Sequence, residues 1–383
     1  MENLDKNILR SVLLSQVMNL DMDIREGSAN LAARSISKKL KKARISYVPY
    51  KKTDQKTKKH LKELHEDGIT ILGKVLTTKQ INEIKSHLTK KKAFAGHVWS
   101  YSDMKPKELS EIENDNHQAS YLLEDIIEAP HLIELANNPL ILNIAQQYLG
   151  CVPSLYQMNV MHSFHKYSKN LGVAQNFHRD VDNLRFCVLF VYLTDVDRNS
   201  GPHQYIKKTT HFSKIDEVVK KYNKQTKKNM DPKVFFDKDK KYGHEFCEKV
   251  FKNDIEQIEG PAGYAFLADV YGLHRGLPPL ENDRLLFWAR YGLYDNGFIS
   301  DTTPKLVSSK LLENRIKLNR TTKYINRAFL TNDSGKSFNK MNYNNEISEN
   351  FDGICDQLAS EFGKWELLKQ TIKIVFKKRK TRR

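Results

Sequence analysis

From Leu155 onward the chain is written in short apolar runs rich in β-branched and aromatic residues. Val160 to Phe164, Arg185 to Leu193, Tyr264 to Leu267 and Leu285 to Tyr291 are the clearest. Turn sequences such as Asn199-Ser200-Gly201-Pro202 and Glu259-Gly260-Pro261 separate some of them. Short apolar runs bounded by Gly and Pro read as strands. A series of them predicts an antiparallel sandwich or barrel core.

The residues before Leu155 have a different period. Residues 1–35 read as one or two short helices, and the lysine-dense residues 37–62 as a solvated segment leading into a helix that ends at Gly68. Ile69 to Leu72 is a short strand. Thr77-Thr78-Lys79-Gln80 has the form of a capping box, and Ile81, Ile84 and Leu88 follow at helical spacing. Residues 93–120 read as a polar loop anchored by Trp99, Tyr101 and Pro106. Residues 121–149 read as helices interrupted near Pro130 and Pro139.

Within the strand-rich half, residues 214–250 are too charged for a core strand and read as a surface excursion or lid. After residue 296 the chain is mixed and polar, with helix-like stretches near 306–330 and 345–370. It closes on Lys377-Lys378-Arg379-Lys380-Thr381-Arg382-Arg383, read as a charged terminus rather than an address.

With 383 residues, the chain suffices for one large or two modest domains. No stretch approaches the roughly 18 consecutive apolar residues of a membrane span. The N-terminus is crossed by Asp, Glu and Arg and does not read as a signal peptide. Four dispersed cysteines, Cys151, Cys187, Cys247 and Cys355, form neither a zinc knuckle nor a disulfide framework. A reducing, cytoplasmic setting is expected, with Cys187 a buried small hydrophobe. The formal charge of +17 favours anionic partners without naming them. No helix-turn-helix or finger spacing favours nucleic acid.

One pattern carries chemistry. His178 and Asp180 stand two apart, so in an extended segment both point to one side. His274 lies in Gly272-Leu273-His274-Arg275-Gly276, and Arg284 opens the last apolar run. Two imidazoles and one carboxylate form the facial ligand set of mononuclear non-haem iron, with three positions open. Arg284 offers a two-pronged clamp for a carboxylate. From its position alone, a surface or structural ion pair explains Arg284 as well. His-x-Asp is common, and His162, His165, His203 and His211 offer rival sites.

Several stretches, in order, resemble the phytanoyl-CoA dioxygenase family of Fe(II)/2-oxoglutarate oxygenases over roughly residues 60–295. Leu64-His65-Glu66-Asp67-Gly68-Ile69 and the helix after Thr77 are similar to that family's opening. Leu135 to Pro139 and Tyr148-Leu149-Gly150 resemble its helical segment. Phe177-His178-Arg179-Asp180 resembles its aromatic-His-x-Asp signature, and Val191 to Asp195 with Asn199 to Pro202 the following strand and turn.

The resemblance implies a double-stranded β-helix (a jelly roll) with helical additions in a mixed α/β chain. It implies Fe(II) held by His178, Asp180 and His274, and 2-oxoglutarate held by Arg284. O2 and a small-molecule substrate, anionic or carrier-linked, would complete a hydroxylase. Residues 1–59 are then a basic extension, 60–295 the dioxygenase domain, and 296–383 a helical extension. The sequence departs from the family where Arg179 replaces the usual neutral residue, and where Lys208-Thr209-Thr210-His211 replaces a Pro-Gly-Ser-His turn. Arg179 is a further candidate to meet a cosubstrate or substrate carboxylate. His162, His165 and Lys166 are candidates to line the mouth. A catalytically inactive binding module of the same fold, or an oxygenase acting on nucleic acid or protein, are the alternatives. A halogenase is disfavoured, because it would lack the carboxylate that Asp180 supplies.

Overall fold

The computed structural model describes residues 22–46, 55–96, 105–167, 175–181, 183–236, 242–293 and 307–331. The fold is mixed α/β, with two antiparallel sheets and flanking helices. Strands β1 (Ile69–Lys74), β2 (Ala93–Ala95), β3 (Gln118–Tyr121), β4 (Ser154–Ser163) and β5 (Phe186–Tyr192) come first. Then follow β6 (His203–Ile206), β7 (Ile255–Ile258), β8 (Tyr264–Ala268), β9 (His274–Gly276) and β10 (Arg284–Gly292). The larger sheet runs β1-β8-β5-β10-β4-β3-β2, and the smaller runs β7-β6-β9.

Pairing alternates the side chains between two faces. On β10, Arg284, Leu286 and Trp288 lie opposite Ser163, Met161 and Asn159 of β4. Leu286 and Trp288 also face Tyr192 and Phe190 of β5. This face meets the smaller sheet, because the His203 ring packs on Phe190 and Phe266. The opposite face is covered by helices. Tyr291, for example, donates its hydroxyl hydrogen to Ala136 O at 2.7 Å.

Helices form where the sequence caps them. Thr77 and Gln80 make the predicted capping box ahead of Thr78–Leu88, whose Ile81, Ile84 and Leu88 are buried. The Gln55–Asp67 helix ends at Gly68, which takes φ +79° and leads into β1. Helices Leu123–Glu128, Leu132–Ala136 and Pro139–Leu149 break near the two prolines as read.

Three regions differ from the sequence reading. The Met22–Lys42 helix extends into the lysine-dense region, and Leu40, Ala43 and Ile45 are buried. Residues 93–120 are not a plain loop. They contribute β2, the Leu109–Asp115 helix and the start of β3, with Ala93, Ile112 and Ala119 buried. Their apolar residues are too sparse to show a period. Trp99, Tyr101 and the stretch 345–370 lie outside the described residues.

The charged excursion folds as two helices, Phe212–Thr226 and His244–Phe251, around a core of its own. Ile215, Val219, Phe235, Cys247 and Phe251 pack there with Phe177, Ile206 and Leu273 of the sheet. Burial of each such large side chain stabilises by about 1.5–3 kcal/mol.

Tyr205 stands between two glycines. A β-carbon at either Gly68 or Gly272 would run into its hydroxyl. That hydroxyl donates to Asp269 O at 2.8 Å.

Candidate metal centre

The segment Phe177–Asp180 adds to the free edge of β9. His178 and His274 exchange both backbone hydrogen bonds, each 3.0 Å. Residues paired directly across an antiparallel ladder project to one side. The two imidazoles therefore meet, with ring centroids 4.4 Å apart. Asp180 follows two residues after His178, and its N–H is held by Val270 O at 2.9 Å. Its carboxylate oxygens lie 3.5 Å from His178 Nε2 and 3.8 Å from His274 Nε2.

The neighbours of the ligands point the other way. Phe177 and Leu273 enter the core of the excursion. Phe177 also exchanges two backbone hydrogen bonds with Tyr242, at 3.0 and 2.9 Å. The ligand-bearing segment is thus bordered by His274 on one edge and by Tyr242 on the other.

Both histidines are oriented by their own backbone. His178 Nδ1 lies 2.8 Å from Asn176 O, and His274 Nδ1 lies 3.0 Å from Gly272 O. A carbonyl can only accept, so each Nδ1 carries a hydrogen, and Nε2 is the ring atom turned to the side of Asp180 and available to a metal. Burial opposes charge on Asp180. Arg290, His274 and His178 outweigh it and hold the carboxyl well below the usual carboxylate range. Arg290 makes the closest contact, 2.9 Å from Nη2 to Oδ2. The three side chains offer donor atoms within 4.8 Å of one another.

A second group, His87, Asp125 and Glu128, also has metal-like spacing. There Lys91 already lies 2.7 Å from Asp125 and 2.9 Å from Glu128.

Arg284 is 4 % exposed. Its Nη1 donates to Gly201 O and its Nη2 to Ser163 Oγ at 3.3 Å. Among the described residues its Nε has no hydrogen-bond partner, and no carboxylate pairs with the guanidinium. Its Nη2 lies 3.3 Å from where a β-carbon of Gly276 would sit, so a side chain there would crowd the guanidinium. Gly276 is two residues past His274.

Arg179 is not brought to this group. Its Nε donates to Phe235 O at 2.7 Å and its Nη1 to Tyr271 O. As the residue between two same-side ligands it projects to the opposite face, where it ties the excursion to the ligand-bearing segment. His162 and His165 converge on Asp283, at 3.0 and 2.7 Å, and Lys166 on Asn114 at 3.3 Å. Burial opposes charge on Asp283, yet hydrogen bonds from His162 and His165 hold its carboxyl well below the usual range. His211 contacts His65 O at 2.7 Å.

Arg290 escapes sequence reasoning, and His203 is singled out there only as one of several rival histidines. Arg290 lies inside an apolar run with no motif around it. His203 stacks on His274, with centroids 5.5 Å apart and planes 19° apart. Burial, with the charges of His274 and Arg284, holds its imidazole well below the ordinary histidine value.

Two histidines and one carboxylate on one side of an antiparallel core define an enzyme with a facial metal site, of the non-haem dioxygenase class. The chain belongs to the phytanoyl-CoA dioxygenase (PhyH) family, whose model matches residues 64–278, more than half of its length. Solved structures overlap more loosely. The α-ketoglutarate-dependent epimerase SnoN from nogalamycin biosynthesis is 14 % identical, with a TM-score of 0.42 over 62 % of this chain and 82 % of that one. HygX from Streptomyces hygroscopicus, with nickel and 2-oxoglutarate bound, is 11 % identical, with a TM-score of 0.39 over 65 % and 89 %. Scores this low add no argument to the family match. No curated protein matches the sequence. No helix among the described residues is long and apolar enough to cross a membrane.

Proposed function

We propose that this protein is an Fe(II)- and 2-oxoglutarate-dependent hydroxylase of a small, anionic or carrier-linked organic substrate. The observation that carries the reading is Arg284, a buried guanidinium with no carboxylate among the described residues, which packs beside Gly276, itself two residues past His274. An unpaired buried charge is costly. A site that receives a dicarboxylate supplies the missing partner.

The donor set fits Fe(II). His178, Asp180 and His274 would hold the metal, leaving positions for the cosubstrate and O2. When bound, iron with 2-oxoglutarate supplies oxidative decarboxylation coupled to oxygen insertion into a C–H bond. The chain's own residues do the rest. Asn176 O and Gly272 O orient the imidazoles. Arg290 holds Oδ2 of Asp180 and so fixes the orientation of the carboxylate that would bind the metal. Arg284 would fix the distal carboxylate by paired charge-assisted hydrogen bonds. Phe190 and Phe266, packed on His203, make the flank of the site apolar.

On this reading the two sheets are the halves of a double-stranded β-helix. The oxygenase domain occupies 60–295, between a basic extension at 1–59 and a helical extension at 296–383. Arg179 is a tether rather than a cosubstrate ligand. The formal charge of +17 supports an anionic substrate.

The test is anaerobic addition of Fe(II) and 2-oxoglutarate, followed by succinate release in air with metabolite extracts. Wild type should show the weak visible metal-to-ligand absorption and a product heavier by one oxygen, and Asp180→Ala should show neither. A wild-type protein that binds no iron and releases no succinate with any extract would be the inactive module instead.

A further inference from the structure

His203 lies on β6 directly opposite Gly276 of β9. Residues opposed in this way project to the same face. The His203 ring therefore points to the side on which Gly276 has no side chain, and it is there that the Arg284 guanidinium approaches. Two buried donors converge around one glycine, and both have a nitrogen without a partner among the described residues, His203 Nε2 and Arg284 Nε. His203 is only 5 % exposed.

A buried, unsatisfied ring nitrogen costs about 1–3 kcal/mol. Apolar packing alone would favour a leucine or phenylalanine here, because Phe190 and Phe266 lie 4.9 and 5.2 Å from the ring. Nor is His203 a fourth metal ligand, because the donor group comprises His178, Asp180 and His274 without it. The ring lies between a metal ligand, His274, and the carboxylate clamp, Arg284. A molecule held by both comes to the side of Gly276 on which the His203 ring lies.

We propose that His203 is a second cosubstrate-binding residue, donating a hydrogen bond from its ring N–H to a carboxylate oxygen of 2-oxoglutarate beside Arg284. This rests on the function proposed above and extends it. Arg284 supplies charge and a fork, and His203 adds a third donor from the other sheet. The dicarboxylate then links the larger sheet to the smaller one.

The experiment measures binding, not turnover. Wild type, His203→Leu and His203→Gln are loaded with Fe(II) without oxygen and titrated with 2-oxoglutarate by calorimetry, and the visible absorption band is followed in parallel. Fe(II) affinity is measured separately without cosubstrate. His203→Leu should bind 2-oxoglutarate about 10- to 100-fold more weakly, the range for one hydrogen bond to a charged group. Its Fe(II) affinity should stay within about twofold of wild type, since no donor of the metal group is removed. His203→Gln, whose amide keeps an N–H, should recover most of the cosubstrate affinity. If His203→Leu fails to fold, the unbranched His203→Met takes its place.

Unchanged 2-oxoglutarate binding in the apolar variant would overturn the assignment and leave His203 a packing residue. A parallel loss of Fe(II) affinity that Gln does not restore would also overturn it, because the ring would then act through His274. If wild type binds Fe(II) but no 2-oxoglutarate, the function proposed above fails and this assignment falls with it.

Discussion

Arg290 Nη2 donates to Asp180 Oδ2 at 2.9 Å, so a guanidinium holds one oxygen of the carboxylate that completes the metal group. Arg290 is itself fixed, with its guanidinium 5.0 Å from the Trp288 ring. A ligand whose second oxygen is held in this way presents the first in one orientation. Outer partners of this kind are worth about 10- to 100-fold in metal affinity or activity. Arg290→Met should therefore weaken Fe(II) binding by a factor in that range, measured by competition with a chelator. Arg290→Lys should lose less, because a charged donor remains.

Arg284 predicts opposite signs for stability and binding. Without a dicarboxylate, its buried charge has only neutral partners among the described residues, so an apolar side chain of similar length relieves desolvation. Arg284→Met should melt at the same or a higher temperature than wild type without cosubstrate. It should also lose the upward shift that saturating 2-oxoglutarate gives the Fe(II)-loaded wild type. Calorimetric scans with and without 2-oxoglutarate read both effects.

Asp283 predicts a pH dependence. Its folded value lies below the unfolded one, which is near 3.9. The contribution is fully present above about pH 4 and is lost as pH falls toward the folded value. Asp283→Asn should be less stable than wild type at neutral pH, and the difference should shrink on acidification below about pH 4. Denaturant unfolding at several pH values checks this. A difference that grows on acidification would contradict the sign.

The excursion should be part of the working site. Phe235 is fully buried in its core and contributes the carbonyl that holds Arg179. Phe235→Ala should destabilise by about 3–5 kcal/mol. Because Tyr242 grips Phe177 and the Phe235 carbonyl grips Arg179, both within the segment carrying His178 and Asp180, Fe(II) affinity should fall with it. Chemical denaturation and metal titration of the same variant test the link. Normal metal affinity in a destabilised variant would show that the excursion only covers the sheet.

What the sequence discloses follows the locality of each signal. His178 and Asp180 are readable because an extended strand puts residues two apart on one side. The capping box at Thr77 and the breaks near Pro130 and Pro139 are readable because caps and prolines act within one helical turn. Tyr242 leaves no such trace. It pairs with Phe177 through backbone groups that every residue has, and it sits among lysines. Arg290 reads as an interruption of an apolar run until Asp180 is folded against it. His203 stood among several histidines of equal claim, and only its pairing with Gly276 sets it apart. His162 and His165 read as mouth-lining from proximity in sequence alone, whereas His162 on β4 and His165 just beyond it both reach Asp283.

Tyr205, wedged between Gly68 and Gly272, ties three distant positions into one inherited unit. A side chain can appear at either glycine only in a lineage that has already shrunk the tyrosine, and a shrunken residue at 205 leaves Asp269 O without its donor. Change must therefore pass through an unfavourable intermediate. Among relatives of this chain, the three positions should be replaced together or not at all, which an alignment deep enough to resolve pairwise covariation can show.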